Sequence, residues 1–245
     1  MKNIKLTIQY DGTNYSGWQT QDNAIGIQQV LTEALERVTG EPVNLIGSGR
    51  TDKGVHAYGQ VANFRTNTRI RPDKLHYWLK PELPDDIQVI ESQEVHWDFH
   101  ARFDAKSKIY LYRIRNTERM HPIDRNYFEL VDYPLDIDRM RRASEFLLGE
   151  HDFRGFCGIL EEGTNPIRDL DRCGIHVRGE SIDIEFEAMS FLRNQVRIMV
   201  GTLVEVGRGR LEPLDIQRIF QERDRSLAGP TLSGRGLYLM DVRYE

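Results

Sequence analysis

The chain opens with a period-two pattern: Ile4, Leu6 and Ile8 alternate with Lys5, Thr7 and Gln9, which predicts a half-buried strand. A turn-rich stretch from Asp11 to Gly17 follows it. Ile27, Val30, Leu31, Ala34, Leu35 and Val38 then recur at helical spacing until Gly40 and Pro42 end the pattern. Val43 with Leu45, and the residues from Val61 to Phe64, read as two strands flanking a loop from Gly47 to Gly59. Pro72 opens a short helical pattern with Leu75, Trp78 and Leu79, and Ile87 to Val95 reads as another strand.

A similar order returns further along. Lys108 to Arg115 is strand-like, and Ile137 to Leu148 is helical, with Met140, Ala143, Phe146 and Leu147 on one face. Two strands are expected at Cys173 to Arg178 and Ser181 to Ala188, the second with Ile182, Ile184 and Phe186 facing away from Asp183, Glu185 and Glu187. A helix carrying Phe191, Leu192, Val196, Met199, Val200, Leu203 and Val204 comes next, then a helix from Leu214 to Glu222 and a strand from Leu237 to Tyr244. Without a strict βαβ rhythm, the pattern predicts an α+β fold: a mainly antiparallel mixed sheet with flanking helices, in two similar halves. The expected division falls near Arg102, giving residues 1–102, which hold the glycine-rich loop, and residues 103–245.

Composition narrows the class. With 39% hydrophobic and 29% charged residues and no low-complexity run, the chain reads as globular. MKNIKLTIQY lacks the continuous apolar core of a signal peptide, and no apolar stretch approaches the roughly 20 residues that span a bilayer. A cytoplasmic protein with no membrane partner is expected. Cys157 and Cys173 form no C-x-x-C pair, and no H-E-x-x-H occurs. His96 and His100 stand four apart, yet VHWDFHARF reads as well as extended chain, so no metal is expected. Neither nucleotide-binding glycine motif is present.

The net charge of −5 argues on its face against a polyanionic partner. Distribution qualifies it. Arg102, Lys106, Lys108, Arg113, Arg115, Arg119 and Arg125 stand against Asp104, Glu118 and Asp124, and Arg65, Arg69, Arg71 and Lys74 form a second cluster. This permits nucleic acid on one face, while solvated surface charge explains the same residues.

The most unusual segment is Gly47-Ser48-Gly49-Arg50-Thr51-Asp52-Lys53-Gly54-Val55-His56-Ala57. Glycines there permit close backbone approach around a carboxylate, a guanidinium, an ammonium and an imidazole. An Asp-x-Gly turn, with the aspartate bonding its own backbone, accounts for the pattern without chemistry.

GRTDKGVHA, IQYDGTNYSGWQ and FHARFDAKSKIYLYRI, followed in order by FLRNQVRIMVG and GLYLMDVRY, closely resemble the tRNA pseudouridine synthase A family over essentially the whole chain. The resemblance implies the pseudouridine synthase fold and isomerisation of uridines 38 to 40 in the tRNA anticodon stem-loop by a homodimer. It implies that Asp52 is the essential carboxylate, with Tyr110 at the base and Arg197 paired to the acid. Lys53 stands where the family often has Ala, which implies altered local charge and the same reaction.

The residue types suit that chemistry. The N1–C1′ bond breaks, the base turns, and C5 bonds C1′; no electrons are gained and nothing is lost, so the reaction calls for no cofactor. An ionised carboxylate is required, to attack or to take a proton. Arg197 sits in an apolar helical stretch, where it either pairs with an acid or snorkels to water. Arg193, four residues earlier, Arg50, Lys53 and His56 are candidates to bind the RNA. Tyr110 and Tyr112 point to one strand face, so either offers a ring for a flipped base; only the family position selects Tyr110. Leu237 is expected to line the pocket, although core packing explains it as well. Two rivals stand beside isomerisation: a non-catalytic protein that binds an RNA stem-loop, and a glycosidase. The latter needs a second carboxylate, for which only Asp11 offers itself.

Overall fold

The computed structural model describes residues 1–21 and 23–245, and its chain divides into two compact units, Met1–Lys106 with Tyr238–Glu245 and Ser107–Leu237. In the first unit the strands are β1 (Lys2–Tyr10), β2 (Ile46–Gly47), β3 (His56–Thr66), β4 (Ile87–Val95) and β10 (Leu237–Arg243). Its sheet runs β4-β1-β3-β10, with β2 added against β3. Pairs β4–β1, β1–β3 and β2–β3 are antiparallel; β10 runs parallel to β3, with Tyr238 opposite His56 and Leu239 opposite Ala57. The alternation that predicts β1 is real: Ile4, Leu6 and Ile8 are fully buried. Helix α1 (Ile27–Thr39) buries Ile27, Leu31, Ala34 and Leu35 and stops at Gly40, whose φ of 73° is open to glycine without strain. Helix α2 (Leu75–Leu79) buries its two leucines.

The second unit contains β5 (Ser107–Asn116), β6 (Glu129–Val131), α3 (Ile137–Glu145), β7 (Gly149–Asp152), β8 (Ile167–Arg178), β9 (Ser181–Ala188), α4 (Gln195–Gly207) and α5 (Asp215–Glu222). Its sheet runs β5-β9-β8-β7, antiparallel throughout, and β6 adds to β5 in parallel. On β9 the residues Ile182, Ile184, Phe186 and Ala188 are buried, in keeping with the alternation. Helix α4 is buried along nearly its whole length, and α3 packs against it.

Several boundaries differ from the sequence pattern: the strand expected at Val43 and Leu45 falls instead at Ile46–Gly47, β8 already begins at Ile167, and α3 ends at Glu145. The sequence division gave everything after Arg102 to the second half, whereas β10 pairs with β3 and so returns the last eight residues to the first unit. β3 begins at His56, so that residue lies in a strand instead of the loop. Phe191 and Leu192 precede α4, because Asn194 takes a left-handed φ of 62° and the Gln195 side chain accepts the Leu192 N–H at 2.7 Å. The first turn of the helix starts only after that reversal.

Candidate active site

The glycine-rich loop of the first unit is braced by the end of β1, the segment that follows it and Gln60 of β3. Thr51 shares a hydrogen bond of 2.9 Å between its hydroxyl and that of Tyr10, and its carbonyl accepts the Trp18 N–H at 3.0 Å. Gly54 N–H donates to the Tyr15 carbonyl at 3.3 Å. Two glycines let the segments touch: a Cβ on Gly12 would collide with the Val55 carbonyl, and one on Gly17 with the Thr51 carbonyl. Beneath them, Gly47 leaves room for the Trp18 indole, which a Cβ would strike at 2.6 Å. At the far end of the loop the buried Ser48 hydroxyl bonds Gln60 at 2.6 Å, and the Gln60 amide donates to the Gly49 carbonyl at 3.0 Å. Burial holds the Tyr10 hydroxyl well above its usual range, so it stays protonated and able to donate.

Asp52 sits half-buried in this frame. Its carbonyl accepts the Val55 N–H at 3.2 Å, closing a turn in which Gly54 has a φ of 76°. The Asp-x-Gly motif therefore does form a turn. It bonds through the main chain of Asp52. Arg50 and Lys53 flank Asp52 and are exposed. His56, at the start of β3, is only 3% exposed; its ring stacks on Tyr238, with centroids 4.8 Å apart and planes 24° apart.

In the second unit, Tyr110 and Tyr112 lie two apart on β5, as alternation requires, and their environments separate them. Tyr112 is wholly buried and donates its hydroxyl to the Ser233 carbonyl at 2.9 Å, and burial pushes the hydroxyl well above its ordinary pKa. A Cβ on Gly236 would press on that ring at 2.9 Å, so the tyrosine is locked in the core. Tyr110, 7% exposed, meets Phe191 edge to face, with centroids 5.2 Å apart. Arg193 is exposed and Arg197 half-buried. Arg197 does not simply snorkel: Nε donates to the Leu232 carbonyl at 2.6 Å and Nη1 to Asn194 Oδ1 at 3.0 Å. Leu237, the first residue of β10, is buried.

The basic stretch from Arg102 to Arg125 is not one cationic face. Arg113 and Arg115 lie 3.5 and 2.9 Å from Asp183 and Asp124, and both guanidiniums lie over the Phe128 ring. His96 and His100 fall in the turns after β4, and no cluster of three metal-ligating side chains occurs among the described residues. No helix there is long and apolar enough to cross a membrane. Sequence reasoning passed over Tyr10, Gly12, Gly17 and Trp18 as loop supports, and Asn194 as a partner of Arg197. The Asp-Gly and Ser-Gly pairs just before Trp18 were the available signal, since a glycine marks close backbone approach as readily as a turn.

The first unit thus carries a carboxylate on a clamped loop, and the second carries a strand tyrosine and a helix-borne arginine held by its neighbours. Comparison with known proteins gives the class. The family described as tRNA pseudouridine synthase matches residues 6–104 and 143–245, segments that contain Asp52, Arg193, Arg197 and Leu237, while Tyr110 lies between them. tRNA pseudouridine synthase A of Thermoanaerobacter sp. (strain X514) is 47% identical over 244 residues, 100% of each chain. That of Caldicellulosiruptor bescii is 46% identical and that of Clostridium acetobutylicum 42%, again over 100% of each chain. A solved Cbf5-Nop10-Gar1 complex is a far more distant likeness, with a TM-score of 0.40 and 8% identity over 96% of this chain and 57% of that one. The chain belongs to the tRNA pseudouridine synthase family, isomerases that turn uridine in tRNA into pseudouridine, and its fold is of that class.

Proposed function

We propose that the chain isomerises uridine at positions 38 to 40 of the tRNA anticodon stem-loop, with Asp52 as the essential carboxylate. The observation that carries this reading is the fixed seat of Asp52: Thr51 and Gly54, on either side of it, bond to main chain of the segment 15–18. A reacting group held this way starts close to its working geometry, and preorganisation of that kind lowers the barrier. Tyr110 is proposed as the ring that meets the flipped base, because Tyr112 is committed to the core. Arg197 is proposed as the cation that keeps Asp52 ionised, a role its two anchoring hydrogen bonds would support. Arg50, Lys53 and Arg193, all exposed, are proposed to hold phosphates, and Leu237 to line the base pocket. His56, buried against Tyr238, is not among the groups proposed to touch RNA. The protein is proposed to act as a cytoplasmic homodimer.

In the reaction the glycosidic N1–C1′ bond breaks, the freed uracil turns in place, and C5 bonds C1′ as the proton on C5 leaves and N1 gains one. Incubation with an unmodified tRNA transcript, followed by mapping of pseudouridine by base, tests the site and position together. Asp52→Asn is expected to fold and bind tRNA while making no pseudouridine. Retained conversion would remove Asp52 from the mechanism, and release of free uracil would favour a glycosidase.

A further inference from the structure

We propose that His56 is a positioning residue, which fixes the Asp52 loop by bonding the Asp11–Gly12 turn through Nδ1. Nδ1 lies 3.1 Å from the Gly12 nitrogen and 3.1 Å from Asp11 Oδ1. It therefore faces one donor and one acceptor on the same two-residue turn. With the proton on Nε2, Nδ1 accepts the Gly12 N–H; with the proton on Nδ1, it donates to the Asp11 carboxylate. Either tautomer ties the imidazole to that turn. The ring cannot swing away, because it is buried and stacked on Tyr238.

The turn in its turn bears on the loop. Asp11 accepts from the Thr13 N–H at 2.9 Å, which sets the shape of the turn, and the bare Cα of Gly12 rests against the Val55 carbonyl. Val55 is the residue whose N–H closes onto the Asp52 carbonyl. His56 thus locks the trailing end of the Asp52 turn, as Tyr10 and Trp18 lock its leading end at Thr51. A misplacement of about 1 Å in a reacting group costs on the order of 100-fold in rate, so the lock should be felt in the chemical step. Nothing in this arrangement requires His56 to meet the RNA.

The proposal rests on Asp52 being the reacting carboxylate, and the experiment separates the two. Single-turnover pseudouridine formation on an unmodified tRNA transcript and tRNA affinity by filter binding are measured for the full chain, with thermal melting as the fold check. His56→Phe keeps a ring to stack on Tyr238 and removes Nδ1; it is expected to lose at least about 10-fold in rate with affinity within about 2-fold. His56→Asn and His56→Gln both lose the ring and differ in where the side-chain polar atoms stand. Asn places one at the position of Nδ1, so it is expected to be at least about 5-fold faster than Gln. This comparison holds even if the phenylalanine variant does not fold. Parent-like rates for His56→Phe, equal rates for the Asn and Gln variants, or a loss confined to affinity each overturn the positioning role. Activity in Asp52→Asn instead overturns the reading beneath it.

Discussion

Asn194 orients Arg197: its Oδ1 accepts from Nη1 at 3.0 Å, from a residue whose own backbone stands at a φ of 62°. Left-handed backbone costs a non-glycine residue roughly 1–2 kcal/mol, a cost that asparagine reduces by local hydrogen bonding. The strain and the hydrogen bond can be separated. Asn194→Gly relieves the backbone and Asn194→Ala does not, while both delete the acceptor. The glycine variant should melt higher than the alanine variant, by an amount worth about 1 kcal/mol. Both should convert uridine equally slowly, below the parent. If the glycine variant converts at the parental rate, the hydrogen bond to Arg197 has no part in catalysis.

Gly17 makes a matching demand in the first unit. Its φ is 102° and a Cβ there would strike the Thr51 carbonyl beside Asp52. Gly17→Ala should cost about 1–3 kcal/mol in chemical denaturation, and it should slow conversion in the molecules that remain folded. A variant as stable and as fast as the parent would show that the two segments can move apart.

The two tyrosines of β5 should divide stability from chemistry. Tyr112→Phe removes a buried hydroxyl and leaves the Ser233 carbonyl without that donor, at a cost of about 0.5–1.5 kcal/mol, with conversion little changed. Tyr110→Leu removes the ring proposed to meet the base and keeps an apolar side chain, so it should lower the conversion rate. Denaturant titration and rate measurement on both variants give the comparison, and the reverse pattern would exchange their roles.

Binding to tRNA should weaken steeply with salt if exposed cations hold phosphates. Arg193→Ala should reduce the slope of log affinity against log salt by roughly one. Arg113→Ala and Arg115→Ala should leave that slope unchanged, because those side chains face Asp183 and Asp124. A salt-independent affinity for the parent would exclude phosphate contacts as the main source of binding.

The local pattern carried much of the fold because it reports which face of an element is buried. Ile4, Leu6 and Ile8 announced β1, Ile182, Ile184 and Phe186 announced β9, and Gly40 announced the end of α1. The short strands Glu129–Val131 and Gly149–Asp152 left no such trace, since three or four residues are too few to show a period. The start of α4 is not legible in the sequence, because Phe191 and Leu192 continue its apolar spacing while Asn194 reverses the backbone. Alternation placed Tyr110 and Tyr112 on one face and could go no further; that Tyr112 bonds the Ser233 carbonyl and that Tyr110 meets Phe191 edge to face are visible only in the structure.

By itself, the sequence determined the α+β class, most of the element boundaries and the motif that holds Asp52, because these depend on neighbours within a few residues. Only the tertiary structure decided that β10 completes the first unit beside β3, that Gly12 and Gly17 press against the loop, and that His56 points into the turn at Asp11. Each of those depends on residues tens to hundreds of positions apart being brought within hydrogen-bond or van der Waals distance. No local period encodes which distant segment a strand or a loop will meet.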